Sequence, residues 1–278
     1  MKAQCGDIFI TAESDKRFRI VSLEQGRYSC YNIIDKNLKV FGGKMGEVYF
    51  ALIGDIIGSR SIESRAEIQR SLGDKLREIN EREGDKNLAA GFVITLGDEF
   101  QGLIRAGGSF NPIYAALEIK NAMYPVKLRF AIGIGGMSTD IDPHMAIGAD
   151  GEAFHRARES MNLVRSYERL HSVPREGDGA VRINSGDNSF DDTVNTLLTL
   201  TGVIRKAWTE RQGEIARKCL DCMMSEAAFS QTEAAKELGI TQGTVSKSLN
   251  SSNALAYLGG VGMAARLIDE RYGNGGNE

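Results

Sequence analysis

Two acidic segments of the chain carry the residue types of a metal and phosphate site. They are Gly54-Asp55-Ile56-Ile57-Gly58-Ser59 and Leu96-Gly97-Asp98-Glu99-Phe100, each entered from an apolar, β-branched run. An aspartate at the end of a buried strand has lost much of its water, so it is tolerated where a cation or backbone donors take its charge. Two carboxylates brought close repel unless a divalent ion lies between them, and Mg²⁺ is held by one or two carboxylates together with substrate phosphates. Asp55 and Asp98, with Ile56 beside the first, are therefore the expected metal-holding positions for Mg²⁺ or Mn²⁺. The amides of Ile57, Gly58 and Ser59, leading into a helix, add donors for phosphate oxygens. An aspartate next to glycine or serine is also a common turn former or helix cap, and that structural reading stays open.

The surrounding pattern supplies elements to hold these turns. Val48 to Ile53 has the continuous apolar character of a strand buried on both faces, with Gly54 expected to turn the chain out of the sheet and leave Asp55 at the strand's carboxyl end. Ala89 to Thr95 and Phe100 to Ile104 read as two strands joined by a hairpin turn that contains Asp98. Ser64 to Asn80 repeats Ile68, Leu72, Leu76 and Ile79 at helical spacing. Asn111-Pro112 starts a second helix with a cap and a first-turn proline, and Pro125 ends it. Val126 to Ile134 is a fourth strand, Gly151 to Tyr167 a third helix, and a further helix and strand follow. The order from 45 to 185 is the split β-α-β order of ferredoxin-like folds.

The flanks differ from this middle part. Residues 1 to 44 hold short alternating strands, Asp7 to Thr11, Phe18 to Leu23, Tyr28 to Ile33 and Leu38 to Phe41, at the spacing of a small barrel. Residues 190 to 278 are helical, with periodic segments Leu197 to Trp208 and Arg211 to Met224. Within Gln231 to Leu249, Ala235, Leu238, Ile240, Val245 and Leu249 occupy the apolar positions of a helix-turn-helix, with Gly239 at the turn and Thr241 capping the second helix. Thr241, Gln242, Thr244, Ser246 and Lys247 are the candidate DNA-contacting residues, and Asn250 extends the same polar set. Residues 187 to 278 nevertheless hold nine Lys/Arg against twelve Asp/Glu, without the basic excess usual for nucleic-acid binders. Ala254 to Tyr272 reads as a final apolar-striped helix suited to homodimerisation.

The motifs also carry a resemblance. Ala51 to Ser59 is similar to the first metal-aspartate segment of class III nucleotide cyclases, and Gly97-Asp98-Glu99-Phe100 resembles the core of the GGDEF motif of diguanylate cyclases. Arg129 to Gly135 resembles the next strand of their shared palm, and Ala149 to Arg158 the helix after it. With the helix-turn-helix, the segment order from Met45 onward is similar to the SatD family. The resemblance implies an α+β chain: a ferredoxin-like palm, a small N-terminal β module and a C-terminal all-α helix-turn-helix domain. It further implies a nucleoside triphosphate or related nucleotide as ligand, with Arg60, Gly97, Glu99 and Arg158 joining Ile57, Gly58 and Ser59 around it. Ile94 stands at the base-selecting position of class III cyclases, and Phe154 where they carry an asparagine. The paired glycines of GGDEF are reduced to Leu96-Gly97. Metal and phosphate binding are thus implied to be retained, with Arg158 the candidate catalytic residue and the cyclising machinery incomplete.

Two functions follow as expectations. One is a nucleotide- and Mg²⁺-binding transcriptional regulator whose palm controls a DNA-binding domain. The other is an active two-metal nucleotidyl cyclase or nucleotidyltransferase, with Arg60, Arg129 or Arg158 replacing the missing donors. The chain has 278 residues, 42% hydrophobic and 26% charged, net charge −3, which suits a globular protein of two or three units. Without a membrane-length apolar run or a signal-like start, a cytoplasmic location is expected. Cys219-Leu-Asp-Cys222 lies in a helical pattern, so its thiols are expected to be buried and reduced rather than catalytic.

Overall fold

The computed structural model describes residues 10–13, 17–20, 22–24, 27–29, 47–58, 64–95, 97–169, 181–225 and 227–273. Near the amino terminus are two antiparallel ladders, β1 (Ile10–Glu13) with β2 (Arg17–Ile20), and β3 (Ser22–Glu24) with β4 (Arg27–Ser29). The expected strand at Leu38 to Phe41 lies outside the described residues. By internal contacts the chain forms two units, one of Met1–Phe41 with Ala207–Gly259 and one of Gly42–Lys206 with Gly260–Glu278.

The second unit is built on a five-stranded mixed sheet. Its elements run β5 (Tyr49–Ile56), α1 (Arg65–Asn87), β6 (Leu88–Ile94), β7 (Glu99–Arg105), α2 (Pro112–Ala122), β8 (Leu128–Gly135), α3 (Glu152–Arg169), β9 (Val181–Asn184) and α4 (Asn188–Lys206). The strand order is β6-β7-β5-β8-β9, antiparallel except for the β8–β9 pair. β5-α1-β6 and β7-α2-β8 are therefore two interleaved crossovers, each reaching over a strand of the other. Every residue of β5 is buried, as expected of a central strand covered on both faces. Tyr49, Ala51 and Ile53 join Leu103, Ala131, Ala153, Phe154, Ala157 and Met161 in one core beneath α3.

Two glycines fix this packing, neither by turning the chain. Gly54 lies inside β5, in register with Phe100 of β7 and Phe130 of β8. A Cβ on Gly54 would fall 2.1 Å from the Phe100 ring, and the two fully buried rings stack edge to face at 5.9 Å. The expected turn at Gly54 is replaced by a gap that an aromatic ring fills, because β5 continues through Asp55 to Ile56. On β8, a Cβ on Gly133 would fall 1.9 Å from the Ala153 carbonyl oxygen, so its absence lets α3 lie directly on the strand.

The remaining helices are α5 (Glu210–Met224), α6 (Gln231–Glu237), α7 (Gln242–Ser251) and α8 (Ala254–Tyr272), giving eight helices among the described residues. Their starts follow side-chain capping: Thr209 and Gln212 form a reciprocal capping box, and Ser230 and Thr241 cap α6 and α7. Asn111 likewise accepts from the Ile113 amide at 2.9 Å to start α2, and its Nδ2 donates to the Ala265 carbonyl and to Asp269 of α8. The apolar stripe of α8, expected as a self-association surface, is buried at Val261, Ala264, Ala265 and Ile268. Cys219 is buried in α5 and burial pushes its thiol up, so it stays protonated.

Candidate functional site

Asp55 sits near the end of β5 in register with Glu99 of β7 on one side and Arg129 of β8 on the other. Residues paired across a sheet share a face, and this is the face that carries α3. Its close seat on Gly133 brings Arg165, three turns further along, over the carboxylate. Arg129 Nε donates to Asp55 Oδ2 at 2.7 Å; Arg165 donates to the same oxygen through Nε at 3.2 Å and Nη2 at 3.0 Å. Arg165 Nη2 also donates to Glu99 Oε2 at 2.9 Å. The Asp55 side chain is 5% exposed, so its charge is tolerable only because these guanidiniums replace lost water. Burial alone would lower the pKa of Arg165; hydrogen bonds to Asp55 and Glu99 outweigh it and raise the pKa above its ordinary value.

The second expected aspartate reaches the same end of the sheet by its main chain: the Asp98 carbonyl accepts from the Ile56 amide at 3.3 Å. The carboxylate directly opposite Asp55 is Glu99, one position further on, because strand side chains alternate between faces. The hairpin tip is held by α1, where Gln69 Nε2 donates to the Gly97 carbonyl and the Arg65 guanidinium lies against Gly97. The Ile57 amide donates to the Lys127 carbonyl at 2.8 Å, and Gly58 is exposed. Ser59 and Arg60 lie outside the described residues.

Arg158 is not brought to this cluster. It is exposed two turns before Arg165, over the Phe154 ring and 3.8 Å from Asp150. Arg165 is not among the residues expected above, although the sequence carries a signal for it. It falls four residues after Met161 on the stripe Phe154, Ala157, Met161, all buried, and an arginine on an apolar stripe needs a buried anion. Among the described residues no group of three or more His, Cys, Asp or Glu side chains is placed to hold a metal. The positive charge facing Asp55 comes from Arg129 and Arg165.

A second candidate surface lies on α7 in the other unit. Gly239, at φ +63°, reverses the chain after α6 in a left-handed conformation that glycine adopts without strain. Thr241 Oγ1 accepts from the Thr244 amide at 3.1 Å, and the two threonine hydroxyls lie 2.9 Å apart, which ties Thr244 to the cap. Val245 and Leu249 are buried with Ala234 and Ala235 of α6. The opposite face presents Gln242, Gly243, Ser246, Lys247 and Asn250 around an open depression. Gln242 Nε2 donates to Oε1 of the buried Gln231 at 2.8 Å.

The SatD family model matches residues 49–268, spanning both surfaces. The chain belongs to the SatD family. No curated protein matches this SatD-family chain. A crystal structure of a regulator of polyketide synthase expression from Bifidobacterium adolescentis is similar at 15% identity and a TM-score of 0.25, with 82% of each chain covered, a level that carries no argument about fold or function. Among the described residues no helix is long and apolar enough to cross a membrane.

Proposed function

We propose that this SatD-family chain is a DNA-binding transcriptional regulator in which α6 and α7 act as a helix-turn-helix and the sheet unit binds a nucleotide together with a divalent ion. The outward face of α7 carries the reading. Its inward residues Val245 and Leu249 are buried, while Gln242, Ser246, Lys247 and Asn250 face away at helical spacing, with the reach and chemistry to meet base edges and phosphates. A net charge of −3 leaves little non-specific attraction to DNA, so affinity must come from a few directed contacts.

The sheet unit supports the ligand half of the reading through its charge arrangement. Asp55 and Glu99 are hard oxygen donors of the kind that, as a pair completed by substrate phosphates, suit Mg²⁺ or Mn²⁺; Arg129 and Arg165 are planar donors suited to phosphates. The ion, when bound, neutralises charge on the phosphates. This chain's own part is to release Asp55 and Glu99 from the guanidiniums and turn those guanidiniums toward the ligand. The test is retention of pooled duplex DNA with and without ATP or GTP and Mg²⁺, alongside thermal shift under the same conditions. Duplex retention altered by a nucleotide that also raises Tm is expected; a folded chain that retains no duplex overturns the regulator.

A second reading, an active two-metal nucleotidyl cyclase or nucleotidyltransferase, is favoured by the approach of the Asp55 and Asp98 segments at one end of the sheet. Release of pyrophosphate from ATP or GTP by the wild type, lost in Asp98→Ala, would select it. Saturable binding without release selects the sensor.

A further inference from the structure

Within the proposed helix-turn-helix, on which this inference rests, we infer that Gln242 is the residue that reads adenine and that Gln231 is its positioning residue. Gln231 opens α6 and is 2% exposed, so its side chain is enclosed by its neighbours. Its Oε1 accepts one N–H of the Gln242 carboxamide at 2.8 Å, and Gln242 makes no other side-chain hydrogen bond among the described residues. Base reading needs the engaged N–H to be the one trans to Oε1, which leaves Oε1 and the second N–H side by side. That is the acceptor and donor fork that matches N6–H and N7 of adenine in the major groove. A free glutamine would lose rotamer entropy on forming such a fork; here a buried partner has already fixed it.

The next residue supports the same seat. Gly243 lies in the first turn of α7, where glycine costs stability relative to alanine. Among the described residues nothing asks for it: a Cβ there would meet only Thr241 Oγ1, at an ordinary 3.9 Å. The room above Gly243 is therefore available to a sugar-phosphate backbone lying against the first turn while Gln242 reaches the base beside it.

The test uses the full chain and a random 20-base-pair duplex pool, selected for binding with wild type, Gln242→Ala and Gln231→Ala, each first shown by circular dichroism to keep its helical signal. Wild type should enrich duplexes with a required adenine, and 7-deazaadenine at that position, which lacks N7, should weaken binding about tenfold. Gln242→Ala should lose the requirement at that position alone and be indifferent to the deaza base. Gln231→Ala should keep binding but relax the same position. Gly243→Ala should weaken all duplexes alike. If wild type enriches a sequence and Gln242→Ala keeps every positional preference, the assignment of Gln242 is overturned while the regulator stands; if no duplex is enriched, both fall.

Discussion

Replacing Arg165 by leucine removes one of the two guanidiniums that face Asp55 and keeps aliphatic bulk on α3. Arg165 contacts Asp55 Oδ2 at 3.2 and 3.0 Å and Glu99 Oε2 at 2.9 Å. Breaking a fully buried ion pair by removing one partner costs about 3–5 kcal/mol. Two features lower that figure here. The Arg165 side chain is 32% exposed, so water screens part of its charge, and Arg129 stays 2.7 Å from the same oxygen. The expected loss is about 1–2 kcal/mol, or a fall in Tm of about 3–6 °C. With Asp55→Asn already in place, only the partly exposed Glu99 carboxylate is left to lose its partner, and the same substitution should cost about 1 kcal/mol less. Urea unfolding of wild type, both single variants and the double variant, followed by far-ultraviolet circular dichroism, measures this coupling. An Arg165→Leu cost that is the same with Asp or Asn at position 55 would refute the ion-pair account.

Gly54→Ala should destabilise by about 1–3 kcal/mol, since its Cβ enters the Phe100 ring and both rings must move; urea unfolding measures it. Glu118 gives a pH dependence. Burial raises its pKa, but Arg82 and Lys75 outweigh burial and hold it below the usual carboxylate value. The folded pKa therefore lies below the unfolded one, so the stability that Glu118 contributes is present above the unfolded value of about 4.3 and is lost as pH falls through the folded value. Unfolding free energies measured between pH 6 and 3 should decline less steeply in Glu118→Gln.

The elements were largely legible because their signals are local. Asn111-Pro112 marked the start of α2, and the period through Leu72, Leu76 and Ile79 marked α1, which continues to Asn87 across a kink at Gly84. The apolar run before Asp55 marked β5. The composition of the cluster was less legible because it depends on register between strands distant in sequence. Whether Asp98 or Glu99 stands opposite Asp55 is a one-residue question, and a hairpin sequence does not fix where its strands pair with a third. Arg158 and Arg165 lie on one helix seven residues apart. Choosing between them required knowing that Gly133 seats the helix at Ala153 and Ala157, which leaves the later arginine over the carboxylate. Gly54 reads as a turn because glycine after a strand usually is one; the Phe100 ring that occupies its missing side chain comes from another strand.

The four side chains gathered at Asp55, two carboxylates and two guanidiniums, sum to no net charge. Seen from beyond one Debye length, about 8 Å at physiological ionic strength, the group projects almost no field of its own. It does not draw a polyphosphate from a distance. Capture would begin only after collision, once the internal pairs exchange partners, so this group should add no salt dependence of its own to the association rate.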